Sequence, residues 1–261
     1  MYMDEKEIFV AEIAKQLPIE DIYDDLAHPA LSTVGQALQG ATRVALSPIF
    51  AMVWAHDKIA GYLSVALPQY FEERKIAKEK IKSPDPAIAV PLIEAMRYTS
   101  HKEELREMFT NLLGASMNSD VVDEHPAFVE IIKQLSSDEC KMIKYLHEIS
   151  SIPRQYVPML KIRQKINDGG VDLMPYFSDI CYITGCQYPK KFPVYLDNLH
   201  RLGLVEVFYD RFLINEEFYI KLKEHKAFPH FLFDEEDILI EKKGMYGLSE
   251  FGEKFCAVCL G

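Results

Sequence analysis

The chain lacks what several specialised protein classes need. It has 5 cysteines, an odd number at irregular spacing. That excludes a regular disulfide framework and points to free thiols in a reducing compartment. It has no excess of positive charge. Lys and Arg total 29 against 40 Asp and Glu, a formal net charge of −11. That balance disfavours a protein that binds nucleic acid over its whole surface, although not a local basic patch. Long apolar runs are missing too. The longest, Val44 to Ala55, contains Pro48 and is flanked by Arg43 and by His56-Asp57-Lys58. A helix that crosses a bilayer needs about 20 apolar residues, so this run reads as a buried helix. The acidic opening, Met1 to Phe9, has no apolar core of a secretory signal, and a cytoplasmic protein is expected. The glycine-rich phosphate loops G-x-x-x-x-G-K-[ST] and G-x-G-x-x-G are absent, as is the nucleophile elbow G-x-S-x-G.

What remains is an ordinary globular composition. Of 261 residues, 49% are hydrophobic and 26% charged, enough to bury a core in one large or two small domains. The acidity is uneven: 13 Lys and Arg stand against 21 Asp and Glu before residue 136, and 16 against 19 after it. The hydrophobic period changes at the same place. Residues 1–135 read as helices only: 4–16, 19–27, 49–72, 87–98, 101–117 and 127–135. Small residues at 30–47, including Gly35, Ala37, Gly40 and Ala41, suit a tight helical hairpin. Ser83-Pro84-Asp85-Pro86 breaks the chain. Ser100 with Glu103, and Ser136 with Glu139, have the S-x-x-E spacing of a capping box.

Residues 136–261 mix helices with short β-like runs. Helix 138–149, a helix at 172–183, a turn at Thr184-Gly185 and a helix from Phe192 to Leu202 ended by Gly203 come in that order. A strand at Leu204 to Phe208 follows. Ile238 to Glu241 and Met245 to Leu248 read as a hairpin turning at Lys242-Lys243-Gly244. Ser249 caps a last helix, 250–259. This is the order of a winged helix-turn-helix. The expected fold is therefore mainly α: a helical domain over 1–135, then a winged-helix-like α+β domain over 136–261. The aromatic-rich stretch at about 209–237 reads as an insertion in the latter.

The stretch from Pro84-Asp85-Pro86 through Glu94-Ala95-Met96-Arg97-Tyr98, Glu103 to Phe109 and Asn111-Leu112-Leu113 resembles the bacterial abortive infection alpha family. So do Ala115-Ser116-Met117, His125 to Ser136, the Gly35 to Lys58 segment and Leu248-Ser249-Glu250-Phe251-Gly252. The resemblance covers most of the chain and is densest at 84–136. It implies phage defence by arrest or death of the infected cell, and it implies no established catalytic chemistry. No cofactor is expected.

Within the dense stretch, Asp85, Arg97, His101, Glu104, Arg106, Asn111 and His125 are the candidate functional or structural residues. An enzyme would need an acid, a base and an electrostatic stabiliser converging there, with Arg97 and Glu104 paired across a helix turn. Polar residues on helices more often cap and bridge them. Two metal leads exist, His101-x-x-Glu104 and the thiols of Cys181-x4-Cys186 with Cys256-x2-Cys259. Ordinary buried thiols are the simpler reading, and no metal is expected. Lys190, Lys191 and Arg201 around the third helix of a winged helix could contact phosphates. Asp197, Glu206 and Asp210 beside them favour a protein contact instead. The expected function is a non-enzymatic, intracellular defence protein that contacts a protein or a phage component. An enzyme built on the Arg97 to His125 cluster and a membrane-acting effector built on residues 30–71 are the alternatives. The oligomeric state is left open.

Overall fold

The computed structural model describes residues 58–99, 102–150, 155–166, 169–228 and 239–261. The helices read at 4–16 and 19–27, the small-residue segment 30–47, Ser100, His101 and the acidic run 234–237 lie outside them. Residues 57–261 form one compact unit. Its elements are α1 (58–73), α2 (Pro86–Thr99), α3 (Glu103–Ser116), α4 (Ala127–Lys133), α5 (Ser137–Ile149), β1 (Val157–Ile166), β2 (Gly169–Phe177), α6 (Ile180–Ile183), α7 (Phe192–Arg201), β3 (Val205–Phe208), α8 (Glu217–Glu224), β4 (Leu239–Leu248) and α9 (Glu250–Cys259). Two single-turn 3-10 helices, Lys78–Lys80 and Pro189–Lys191, lie between. The result is a mixed α+β architecture.

α3 is the central helix. From Met108 onward all its side chains are buried, polar Thr110, Asn111 and Ser116 included. It packs against α2, α4, α5 and α9. α2 offers it Ile88, Leu92, Ala95 and Met96, the i, i+4, i+7, i+8 stripe of an amphipathic helix. α1 approaches so closely that a Cβ on Gly114 would lie 2.5 Å from the Tyr70 ring. At the end of α1, Ile76 N–H donates to Phe71 O at 2.9 Å and Lys75 N–H to Glu72 O at 3.0 Å. This is the two-bond Schellman stop, with Lys75 in the left-handed position (φ 52°) that glycine usually fills.

The capping box at Ser136 forms in full. Glu139 N–H donates to Ser136 Oγ at 3.3 Å and Ser136 N–H to Glu139 Oε2 at 2.7 Å. The start of α3 is different: Lys102 is its N-cap and makes no side-chain cap bond.

The antiparallel sheet has the order β2-β1-β4-β3. Two expectations are corrected here. The segment read as a helix over 172–183 is strand β2 as far as Phe177, and only Ile180–Ile183 is helical. β1, unforeseen, is the partner that pulls it into the sheet. The expected hairpin at Lys242-Lys243-Gly244 is instead one continuous strand, β4, paired to β1 on one side and β3 on the other. Gly244 is there for close approach rather than for turning. A Cβ at this position would meet the Met159 side chain at 2.6 Å and Phe208 O at 2.8 Å. Strand β3 and helices α7 and α9 stand within a residue or two of where the hydrophobic pattern puts them, and Gly203 (φ 75°) ends α7 as expected.

One apolar cluster runs from Ile59 to Cys259 through both sides of the 135/136 point. A second, smaller one joins Leu160, Ile162 and Phe177 of the sheet to Tyr219 and Leu222 of α8 and to Phe228. Tyr219 anchors α8 to the sheet. Its hydroxyl donates to Gly244 O at 3.0 Å and accepts from Leu213 N–H at 2.9 Å.

Candidate functional site

The described candidates of the 84–136 stretch do not converge on one point. Asp85 caps α2: its Oδ1 accepts from Ala87 N–H at 2.8 Å and its carbonyl from Ala89 N–H at 2.9 Å. His125 does the same for α4, its Nδ1 accepting from Ala127 N–H at 3.0 Å. Arg97, in the last turn of α2, lies over the Tyr98 ring at 5.7 Å. Among the described residues it makes no ion pair with Glu104. Glu104 sits in the first turn of α3, where a carboxylate favours the helix dipole. Arg106 stacks on the Tyr62 ring at 4.7 Å, and Thr110 one turn on donates to the Tyr62 hydroxyl at 3.2 Å. Together they tie α3 to α1. Asn111 is buried, and its amide donates to Cys259 O at 3.0 Å and Leu260 O at 3.4 Å. It satisfies carbonyls that the end of α9 would otherwise leave open.

The candidate cations near α7 are placed differently from one another. Lys190 and Lys191 form a 3-10 turn at its start, with Lys191 over the Tyr188 ring at 4.7 Å. Arg201, at the other end, is held by Gln134 Oε1 at 3.0 Å and Asn198 Oδ1 at 2.7 Å. Exposed Asp197 and Val194 stand on the same helix.

Sequence reasoning missed the group around Asp138, a residue in the first turn of α5. Its carboxylate is buried and accepts from Gln187 N–H at 2.7 Å, Tyr188 N–H at 3.0 Å and the Tyr195 hydroxyl at 2.8 Å. Burial works to raise its pKa, but these donors win and hold it below the ordinary carboxylate value. Burial, together with the same contact, pushes the Tyr195 phenol up. Cys186 lies against this group, its Sγ 3.6 Å from Asp138 O and 3.3 Å from Thr184 Oγ1. An acidic residue in a first helical turn is a common dipole partner, so the sequence gives no sign of partners some 50 positions away.

All five cysteines are buried and free. Among the described residues, no three His, Cys, Asp or Glu side chains gather in a way that could hold a metal ion. No helix among them is long and apolar enough to cross a membrane; of the 30–71 segment only the part from residue 58 is described. A cleft of about 350 Å³ lies between the ends of α1 and α9 and the loop after α3, lined by Tyr70, Arg74, Lys75, Lys80, Asn118 and Asp120 among others.

No curated protein matches the chain. Among solved structures, an uncharacterized protein from the hydrocarbon-degrading marine bacterium Alcanivorax borkumensis SK2 is similar at 14% identity. That match covers 52% of this chain and 96% of the other, with a TM-score of 0.32. The profile of the abortive infection alpha family matches residues 65–259. That span begins inside α1 and runs to the last residue of α9, so it takes in the central helix, the caps at Asp85, His125 and Ser136, and the whole sheet. This chain belongs to the abortive infection alpha family.

Proposed function

We propose that the protein acts in defence against phage, inside the cell, through contacts with another macromolecule rather than through chemistry of its own. Family membership supplies the defence role. The observation that carries the contact reading is the use made of the motif side chains. Asp85 and His125 cap helices, Asn111 closes the end of α9, and Arg106 stacks on Tyr62. Those are the groups an acid–base site in this stretch would need free.

The winged-helix reading of the second half rests on connectivity. Helices α5, α6 and α7 are followed by β3 and β4, and β4 lies between β1 and β3. The β1–β2 pair and α8 would then be additions to that core. A protein partner suits the α7 face better than duplex DNA. Arg201 is already engaged, and Asp197 would repel phosphate beside Lys190 and Lys191.

A plaque assay on cells that express the chain tests both parts. Protection should fall for Arg97→Ala and His125→Ala, in step with a lower melting temperature. Protection lost at an unchanged melting temperature would favour the enzyme alternative. Replacement of Lys190, Lys191 and Arg201 together by Ala should leave protection intact. Salt-sensitive binding of the wild type to duplex DNA that this triple variant loses would overturn the protein-contact reading.

A further inference from the structure

We propose that Cys181 and Cys186 form a redox-reactive dithiol, which closes to an intrachain disulfide when Cys186 attacks a small-molecule disulfide. This inference is independent of the defence role. Cys181 lies in α6, and the chain turns back through Gly185 (φ 65°), so that Cys186 N–H donates to Cys181 O at 2.9 Å. A disulfide needs Cα atoms roughly 4.4–6.8 Å apart. The backbone bond from one cysteine to the other closes the turn to that order of distance. The Cys181 S–H donates to Met142 Sδ and the Cys186 S–H to Asp138 O, each at 3.6 Å. The two sulfurs influence one another across the turn: that interaction holds Cys186 below its ordinary pKa and, with burial, pushes Cys181 up.

Lys141 Nζ donates to Gly185 O at 3.2 Å, which sets a positive charge beside the turn and favours a thiolate at Cys186. The Thr184 hydroxyl, 3.3 Å from Cys186 Sγ, gives its own proton to Ile180 O at 2.8 Å and so faces the sulfur as an acceptor. The other acceptors that face Cys186 are the Asp138 carbonyl at 3.6 Å and, further off, the Asp138 carboxylate, already saturated by three donors. Exposure decides the order of events. Cys186 is 8% exposed and Cys181 0%. A Cβ built on Gly185 between them would meet nothing within 4 Å, so the turn that joins the two cysteines is open on that side.

With oxidised glutathione as oxidant, the steps balance. The Cys186 thiolate attacks one glutathione sulfur, a mixed disulfide forms, and one glutathione thiolate leaves. Cys181 gives its proton to solvent and attacks the Cys186 sulfur, which expels the second glutathione thiolate. Two protein thiols are oxidised, one disulfide is reduced, and the two glutathione thiolates regain the two protons. The product moves Cys181 Sγ off Met142 Sδ, now 3.6 Å away, and draws on the turn that Asp138 holds.

Peptide mapping of the full chain tests this. The reduced protein is incubated with oxidised glutathione, denatured and alkylated. Cys181 and Cys186 should escape alkylation together, in a peptide lighter by two hydrogens, while Cys140, Cys256 and Cys259 alkylate fully. Alkylation of Cys181 and Cys186 to the level of the reduced control, or oxidation at one of the other three, overturns the proposal. Cys181→Ala should trap glutathione on Cys186 in the folded protein. Cys186→Ala should leave the fully buried Cys181 unmodified, and an adduct there would overturn the assigned order. If either variant fails to fold, the wild-type map alone decides.

Discussion

Asn111 carries its amide into the seam between α3 and α9, where the last carbonyls of α9 have no helical partner. Its removal takes that donor from the buried Cys259 O and the half-buried Leu260 O. Asn111→Ala should cost about 1–3 kcal/mol, the usual penalty for an orphaned buried polar group, read as a lower midpoint in urea unfolding. Lys75 predicts the opposite sign. Its φ of 52° is a conformation that glycine adopts freely and lysine does not. Lys75→Gly should stabilise by about 0.5–1 kcal/mol. An equal or lower urea midpoint would mean that the lysine side chain contributes more at the cleft than its backbone strain removes. Asp138 sets a pH dependence. Its folded pKa is lowered, so it contributes stability that is present above its ordinary carboxylate pKa and is lost as pH falls through the depressed value. Asp138→Asn should flatten the acid limb of the stability curve in that range while lowering the plateau near neutral pH. An acid limb of unchanged slope would show that other carboxylates dominate it.

Elements were legible in the sequence wherever local chemistry decided them. The capping box at Ser136, the Asp85 break and the Gly203 stop all rely on neighbours within a few residues, and all stand in the structure. Ser136→Ala should therefore cost about 0.5–2 kcal/mol, the range for losing an N-cap, visible in a thermal melt. β1 and β2 were not legible, and β4 only as two short strands with a turn between them, because a strand is stabilised by partners far along the chain. Gly244 looks like a turn glycine until Met159 and Phe208 are placed beside it. Gly252 is the same kind of residue. It lies two positions into α9, where its N–H reaches Ser249 Oγ at 2.8 Å, and a Cβ there would fall 2.0 Å from Leu204 O. The candidate site was legible only as a set of residue types. The 84–136 stretch offers polar side chains, but whether each is a cap, a tie or a free group depends on partners such as Cys259 and Tyr62, which sequence spacing does not reveal. The Asp138 group was missed for that reason.

At the scale of the molecule, the strands among the described residues all follow residue 136, yet the buried cluster spans that point. Ile132 on α4 and Leu199 on α7 are both 0% exposed and belong to one continuous core. α9, the last helix, packs against both α3 and α5, so the chain returns from the sheet to close the helical layer it started from. Elements that share a core lose it together, because exposing one side strips the other of its packing. Residues 57–261 should then open as one cooperative unit. Ile132→Ala and Leu199→Ala each delete a buried aliphatic side chain and should cost about 2–5 kcal/mol. Hydrogen exchange against denaturant, followed by mass spectrometry of peptides, separates the outcomes. In each variant the slowest amides of α3 and of α7 should lose protection by the same free energy, although only one helix lies close to the substitution. A loss confined to α7 in Leu199→Ala, with α3 still at its wild-type protection, would show that the sheet side unfolds alone, and that the shared core is a contact between two units rather than the centre of one.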